Sequence, residues 1–135
     1  MQIYAYEFCK YMNANGIKYT EQNEDLIKVA YTGENLNTIP VYVFFDQDNA
    51  PYVQLKCWEI QNFKNNEAAA LVICNSLNAK YRWVKFYLDN DKDIVASIDA
   101  IVDMDTCGEV CLDLVRRIVS ILDEAYPQIA KARWA

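Results

Sequence analysis

Histidine is missing from this 135-residue chain. Without it the chain lacks the usual near-neutral proton shuttle and the commonest metal ligand, and Ser-His-Asp or Cys-His nucleophilic arrangements are excluded. Glycine is almost as scarce: Gly16, Gly33 and Gly108 are the only three, too widely separated to form a phosphate loop or a dinucleotide fingerprint. The cysteines, Cys9, Cys57, Cys74, Cys107 and Cys111, are odd in number and include no Cys-x-x-Cys pair, which fits a reducing compartment better than a disulfide framework. Long uncharged apolar runs are absent too. The opening MQIYAYEFCK has no basic region and carries Glu7, so neither a signal peptide nor a membrane span is expected. These absences predict a cytoplasmic protein without a membrane partner. No Pro, Gly or Ser-rich linker divides the chain, and its length suits a single domain over 1–135.

What is present is an ordinary globular composition with an acidic balance: 53% hydrophobic residues, 24% charged residues and a formal net charge of −6. Repulsion from phosphate makes such a chain a poor general nucleic-acid binder. The basic residues are scattered, and the pair Arg116-Arg117, with Asp113 and Asp123 nearby, reads as the solvated face of a helix. Ten tyrosines and three tryptophans therefore point to core packing and protein contacts rather than base stacking, which needs a basic groove.

Hydrophobic period organises the rest. Tyr4, Phe8, Tyr11 and Met12 recur at helical spacing over 3–15, and Asn15-Gly16 suits the helix end. Residues 17–19 lead towards a sheet. Alternation then predicts strands over 25–31, 39–45 and 52–59, the last two joined by a turn at 46–51. A second helix follows Asn65-Asn66, either of which suits its cap, with Ala70, Ile73, Cys74 and Leu77 as its apolar stripe. From Tyr81 the period returns to two: Val84, Phe86 and Leu88 oppose Trp83, Lys85 and Tyr87, and Ile94, Ala96, Ile98, Ala100 and Val102 form one side of a fifth strand. In the last helix Thr106 and Glu109 match a capping box, and Cys111, Leu114, Val115, Ile118, Leu122 and Ala125 share one face. Leu114 and Ile118 are expected to be buried. Pro127 should end or bend the helix near Tyr126, with 129–134 continuing beyond the break. The expected fold is thus α+β, a mainly antiparallel five-stranded sheet with three helices, in the order α-β-β-β-α-β-β-α.

No motif in this layout carries chemistry. Asp89-Asn90-Asp91-Lys92-Asp93 begins like a calcium loop, but Ile94 stands where the tight-turn glycine belongs and Ala100 where the bidentate Glu belongs, so a polar hairpin turn is the reading. Asp99, Asp103 and Asp105 suit strand-surface and helix-start electrostatics. Cys107 and Cys111 lie one turn apart but lack the further ligands of a structural zinc site. Catalytic residues, cofactors and metals are accordingly expected to be absent, and the protein is expected not to be an enzyme.

The segment Trp83-Val84-Lys85-Phe86-Tyr87-Leu88-Asp89, the strand beginning at Ile94 and the helical pattern over 110–122 resemble the bacterial YbjN family of sensory-transduction regulators, a family similar in fold to type III secretion chaperones. The family's hairpin resembles Asp-x-Asp-Gly, whereas this chain has Asp89-Asn90-Asp91-Lys92. The resemblance implies a small acidic homodimer that holds a protein or peptide partner, hence a non-enzymatic adaptor or chaperone-like regulator. The alternative is a small-ligand sensor or accessory domain with a pocket between helices and sheet. The second and fourth expected strands are aromatic on both faces, which one helical layer cannot cover. Tyr42, Phe44, Trp83 and Tyr87 are therefore the expected interface residues, for self-association or for a partner.

Overall fold

Gln2 starts the first helix. Its side-chain oxygen accepts the N–H groups of Tyr4 (2.6 Å) and Ala5 (3.0 Å), satisfying two donors that have no partner inside the helix. Its amide nitrogen donates to the carbonyls of Asp46 and Ala50, so one buried side chain caps a helix and pins a distant turn. The computed structural model describes residues 1–134; the last residue of the expected 1–135 domain lies outside the described residues. Helix α1 (Ile3–Ala14) turns Ala5, Phe8, Cys9 and Met12 inward and ends at Gly16, whose φ of +66° is the left-handed conformation glycine tolerates best.

The chain continues through β1 (Thr20–Asn23), β2 (Leu26–Tyr31), β3 (Ile39–Phe45), β4 (Tyr52–Cys57), α2 (Glu67–Lys80), β5 (Lys85–Leu88), β6 (Ile94–Ile101) and α3 (Cys107–Arg133). All strand pairs are antiparallel, in the spatial order β1-β2-β3-β4-β6-β5. The sheet therefore has six strands and not the five expected, and the element order gains a strand after α1. The extra one, Thr-Glu-Gln-Asn, is exposed at every position. It joins β2 through its backbone at the sheet edge, with an irregularity between Glu21 and Asn23, so no apolar alternation marks it.

All three helices pack on one face of the sheet. Ile27 and Val29, Val41 and Val43, Val53 and Leu55, Phe86, and Ala96 and Ile98 meet Phe8, Met12, Leu77, Cys111, Val115 and Ile118 in one buried cluster. Leu114 and Ile118 are both buried. The two ends of the sheet differ. β1 leaves an open edge, whereas the edge of β5 is closed by Asn78 of α2, whose amide donates to the Phe86 carbonyl (3.0 Å) and accepts the Phe86 N–H (2.7 Å) as a neighbouring strand would.

Two helix signals resolve differently from expectation. Thr106 precedes α3, but Asp103 accepts both its N–H (2.9 Å) and its hydroxyl (3.0 Å), so the hydroxyl makes no capping bond and the capping box does not form. Helix α3 also does not end at Tyr126 but continues past Pro127 to Arg133. Proline removes the N–H that would have reached the Asp123 carbonyl, one helical hydrogen bond earlier in the chain. That carbonyl instead accepts from the Asn35 side chain at 2.9 Å, while Ala125 and Ile129 on either side stay buried in the core.

The same Asp123 anchors the loop between β2 and β3. Its carboxylate accepts the N–H groups of Leu36, Asn35 and Glu34 at 3.0, 2.8 and 3.0 Å, and these bonds hold its carboxyl below the usual range, Leu36 first. A Cβ at Gly33 would fall onto that carboxylate, which explains glycine there. Gly108 likewise lets α3 approach Tyr11 of α1.

Candidate protein-docking face

Alternation along the strands turns a second set of side chains away from the helices. In register, Lys28 neighbours Tyr42, Tyr42 neighbours Lys56, Leu26 neighbours Phe44, Phe44 neighbours Gln54, and Tyr87 neighbours Val95. Paired residues share a face, and none of these belongs to the core cluster except as a flank. Among the described residues no helix covers this face.

Its centre is aromatic. Tyr42 of β3 stacks on Trp58, just beyond β4, with ring centroids 4.2 Å apart and an interplanar angle of 14°. Phe44 tilts against the same indole at 5.8 Å. All three rings are half-buried by one another, with their outer surfaces open. Towards the far end Tyr52 and Ile101 pair in register, 50% and 77% exposed. On the other side Tyr87 lies beside Lys85, whose ammonium is 5.5 Å from the ring centroid. Val95 is buried on this face although it lies outside the core cluster; it shares a surface hollow of about 320 Å³ with Lys56, Trp58 and Tyr87.

Three of the four expected interface residues, Tyr42, Phe44 and Tyr87, thus share one face. Trp83 does not. It precedes β5 with a φ of +74°, which breaks the alternation and carries its ring to the helix side, 5.2 Å from the Arg117 guanidinium of α3. Trp58 was not among the expected residues, yet it joins Tyr42 to Phe44. The signal was available: with Val53, Leu55 and Cys57 inward, the strand run places Gln54, Lys56 and Trp58 outward.

The other candidates have structural roles. Asp89 accepts the N–H groups of Asp91 and Asp93 with one carboxylate oxygen, and Asn62 bonds Asp93, so the acidic hairpin is held as a turn. Among the described residues no group of three or more His, Cys, Asp and Glu side chains is placed to hold a metal ion. All five cysteines are buried. Burial pushes the thiols of Cys57 and Cys74 up to about 12 and about 11. Cys111, 3.9 Å from Cys107 in the core, is raised by the hydrogen bond to that neighbour and by burial. The space between helices and sheet is filled by side chains such as Phe8, Phe63 and Phe86. A larger hollow, about 990 Å³, opens at the β1 edge among Ile17, Tyr19, Thr20, Glu21 and Lys28.

The comparisons with known proteins agree with this architecture. The family model described as "Putative bacterial sensory transduction regulator", YbjN, matches residues 7–131. The chain belongs to the YbjN family. The crystal structure of YbjN from E. coli superposes with a TM-score of 0.62 at 11% identity, over 89% of each chain. A chain of the heterodimeric ExoU–SpcU complex of the Pseudomonas aeruginosa type III secretion system superposes with a TM-score of 0.57 at 11% identity, over 91% of this chain and 94% of that one. The YbjN fold is therefore also a type III secretion chaperone-like fold. No curated protein matches the sequence. Among the described residues no helix is long and apolar enough to cross a membrane.

Proposed function

We propose that this YbjN-family member is a non-enzymatic, cytoplasmic adaptor or chaperone-like regulator that holds a segment of a partner protein on its helix-free sheet face. The observation carrying the reading is the Tyr42–Trp58–Phe44 cluster on a face that no helix covers among the described residues. Rigid aromatic side chains supply much contact area for little lost freedom, and they dominate the centres of protein interfaces. The likeness to a chain of a secretion-system heterodimer supports a partner-binding role.

Self-association is a separate part of the proposal and belongs to the other side of the molecule. Trp83 is 58% exposed there, held in place over Arg117. A homodimer built around Trp83 leaves the sheet face free. Light scattering during size exclusion should then show a dimer mass that Trp83→Glu reduces to the monomer.

The test of the main reading is site-specific photo-crosslinking in bacterial cells. p-Benzoylphenylalanine in place of Phe44 should give discrete protein adducts, and in place of Glu124, exposed on α3, it should not. Equal labelling from the two positions, or none from 44, would reject the sheet face as the docking surface.

A further inference from the structure

The chain is acidic overall, yet a line of lysines crosses its uncovered face. Register places Lys28 beside Tyr42, Tyr42 beside Lys56, Lys56 beside Ser97 and Ser97 beside Lys85, one residue from each of β2, β3, β4, β6 and β5 in spatial order. Neighbouring strands lie about 4.8 Å apart, so the lysine-bearing positions recur about every 10 Å.

Among the described residues only one of these lysines, Lys85, makes an ion pair, although Glu59, Asp89, Asp91 and Asp93 line the hollow beside Lys56. The Lys28 ammonium sits 5.8 Å from the Tyr42 ring centroid and the Lys85 ammonium 5.5 Å from that of Tyr87. Lys85 also approaches Asp99 at 4.0 Å, with both side chains well exposed, and such a pair is largely screened. Lys28 and Lys56 have no ion-pair partner among the described residues. Between Lys56 and Lys85, the Ser97 hydroxyl is buried and has no hydrogen-bond partner among the described residues. A hydroxyl in that position lacks an acceptor, which is costly for a buried group.

We propose that this row receives an acidic segment of the partner protein, with carboxylates over Lys28, Lys56 and Lys85 and apolar side chains on Tyr42, Phe44 and Trp58. The assignment rests on the protein-binding reading above and adds the chemistry of the partner. An amphipathic helix with Glu or Asp at every seventh position repeats about every 10.5 Å on one face, close to the lysine spacing. A second copy of the chain fits this face poorly, because a two-fold contact would set one lysine row against another. A nucleic-acid strand fits poorly as well, since its continuous line of phosphates needs a basic groove, and a row of three lysines on a chain of net charge −6 does not supply one.

Fluorescence anisotropy tests the proposal with two labelled helical peptides of about 20 residues. One carries Glu at every seventh position among Leu and Ala; the other carries Lys at those positions. The Glu peptide should bind, should weaken as salt is raised, and should lose about tenfold in affinity with Lys56→Glu but not with Lys131→Glu on α3. Circular dichroism of both variants should match the wild type. Equal affinity for the two peptides, an unchanged affinity in Lys56→Glu, or preferential binding of a labelled oligothymidylate would each overturn the acidic assignment. So would a dimer mass that Trp83→Glu leaves intact and Lys56→Glu abolishes. If crosslinks from position 44 persist in cells while the Glu peptide shows no preference, the acidic assignment fails and the protein-binding reading stands. If the crosslinks are also absent, both fail.

Discussion

The two faces of the sheet are built from the same strands, residue by residue, and they differ in what completes them. On the inner face Val41, Val43, Val53, Leu55, Ala96 and Ile98 are closed over by α1, α2 and α3. On the outer face Tyr42, Phe44, Lys56 and Tyr87 remain only half-buried, by one another. Side chains alternate along a strand, so the positions that build the core alternate with those we propose for recognition. The inner face needs only apolar volume. The outer one pairs large rings with exposed or half-buried lysines, a combination that adds little to folding.

The largest effect expected from breaking this division lies inward. Leu55 is fully buried, so Leu55→Ala should cost about 2–5 kcal/mol through lost burial and a partly healed cavity. Its outward neighbour gives the contrast: Lys56→Ala should stay within about 0.5 kcal/mol of wild type. Urea melts of the two variants measure both.

A smaller effect is expected where the helical layer is tied to the sheet's connections. Asp123 has a carboxyl held low by the N–H groups of Leu36, Asn35 and Glu34. A carboxyl whose folded pKa is depressed stabilises the fold above its unfolded value, about 3.9, and loses that contribution as pH falls through the folded value. Asp123→Ala should therefore lower Tm at pH 7, and the gap to wild type should close in acid. A Tm difference that is constant from pH 7 down to acid would remove the carboxylate from the account.

The smallest effect belongs to the hairpin where the two faces meet. Lys92 holds a φ of +67° at the position where the family pattern resembles Asp-x-Asp-Gly. Relieving that left-handed backbone is worth roughly 1–2 kcal/mol, offset by about 0.2–1 kcal/mol from its exposed 3.0 Å ion pair with Glu67. Lys92→Gly should raise stability by up to about 1 kcal/mol in the same melts. A loss would show that the ion pair outweighs the strain.

The inner face was legible in the sequence because burial enforces a period. β3 runs from Ile39 to Phe45 as its alternation requires, and the three helices fall where their apolar stripes lie. β1 escaped notice because it is polar on both sides and held by backbone pairing alone. That α3 does not end at Pro127 was not legible, because the partner of the freed Asp123 carbonyl, Asn35, lies 88 residues away in sequence from Asp123. Thr106 misled because Asp103, a near neighbour, takes its hydroxyl. On the outer face, Tyr42, Phe44 and Tyr87 followed from alternation, but Trp83 did not, because one left-handed residue reverses its direction. Trp58 lies within the expected strand 52–59 and faces outward by the same alternation, although β4 itself ends at Cys57. Local period is written in the chain, whereas rescue by distant side chains is not.

Trp58 offers the most direct test of the central claim, that this outer face recognises and the inner one stabilises. Trp58→Ala should remove the photo-crosslinks formed from position 44 while shifting the urea midpoint by less than half the shift seen in Leu55→Ala. Crosslinks that survive in a Trp58→Ala protein as destabilised as Leu55→Ala would contradict it, placing this indole in the core's service and the docking surface elsewhere.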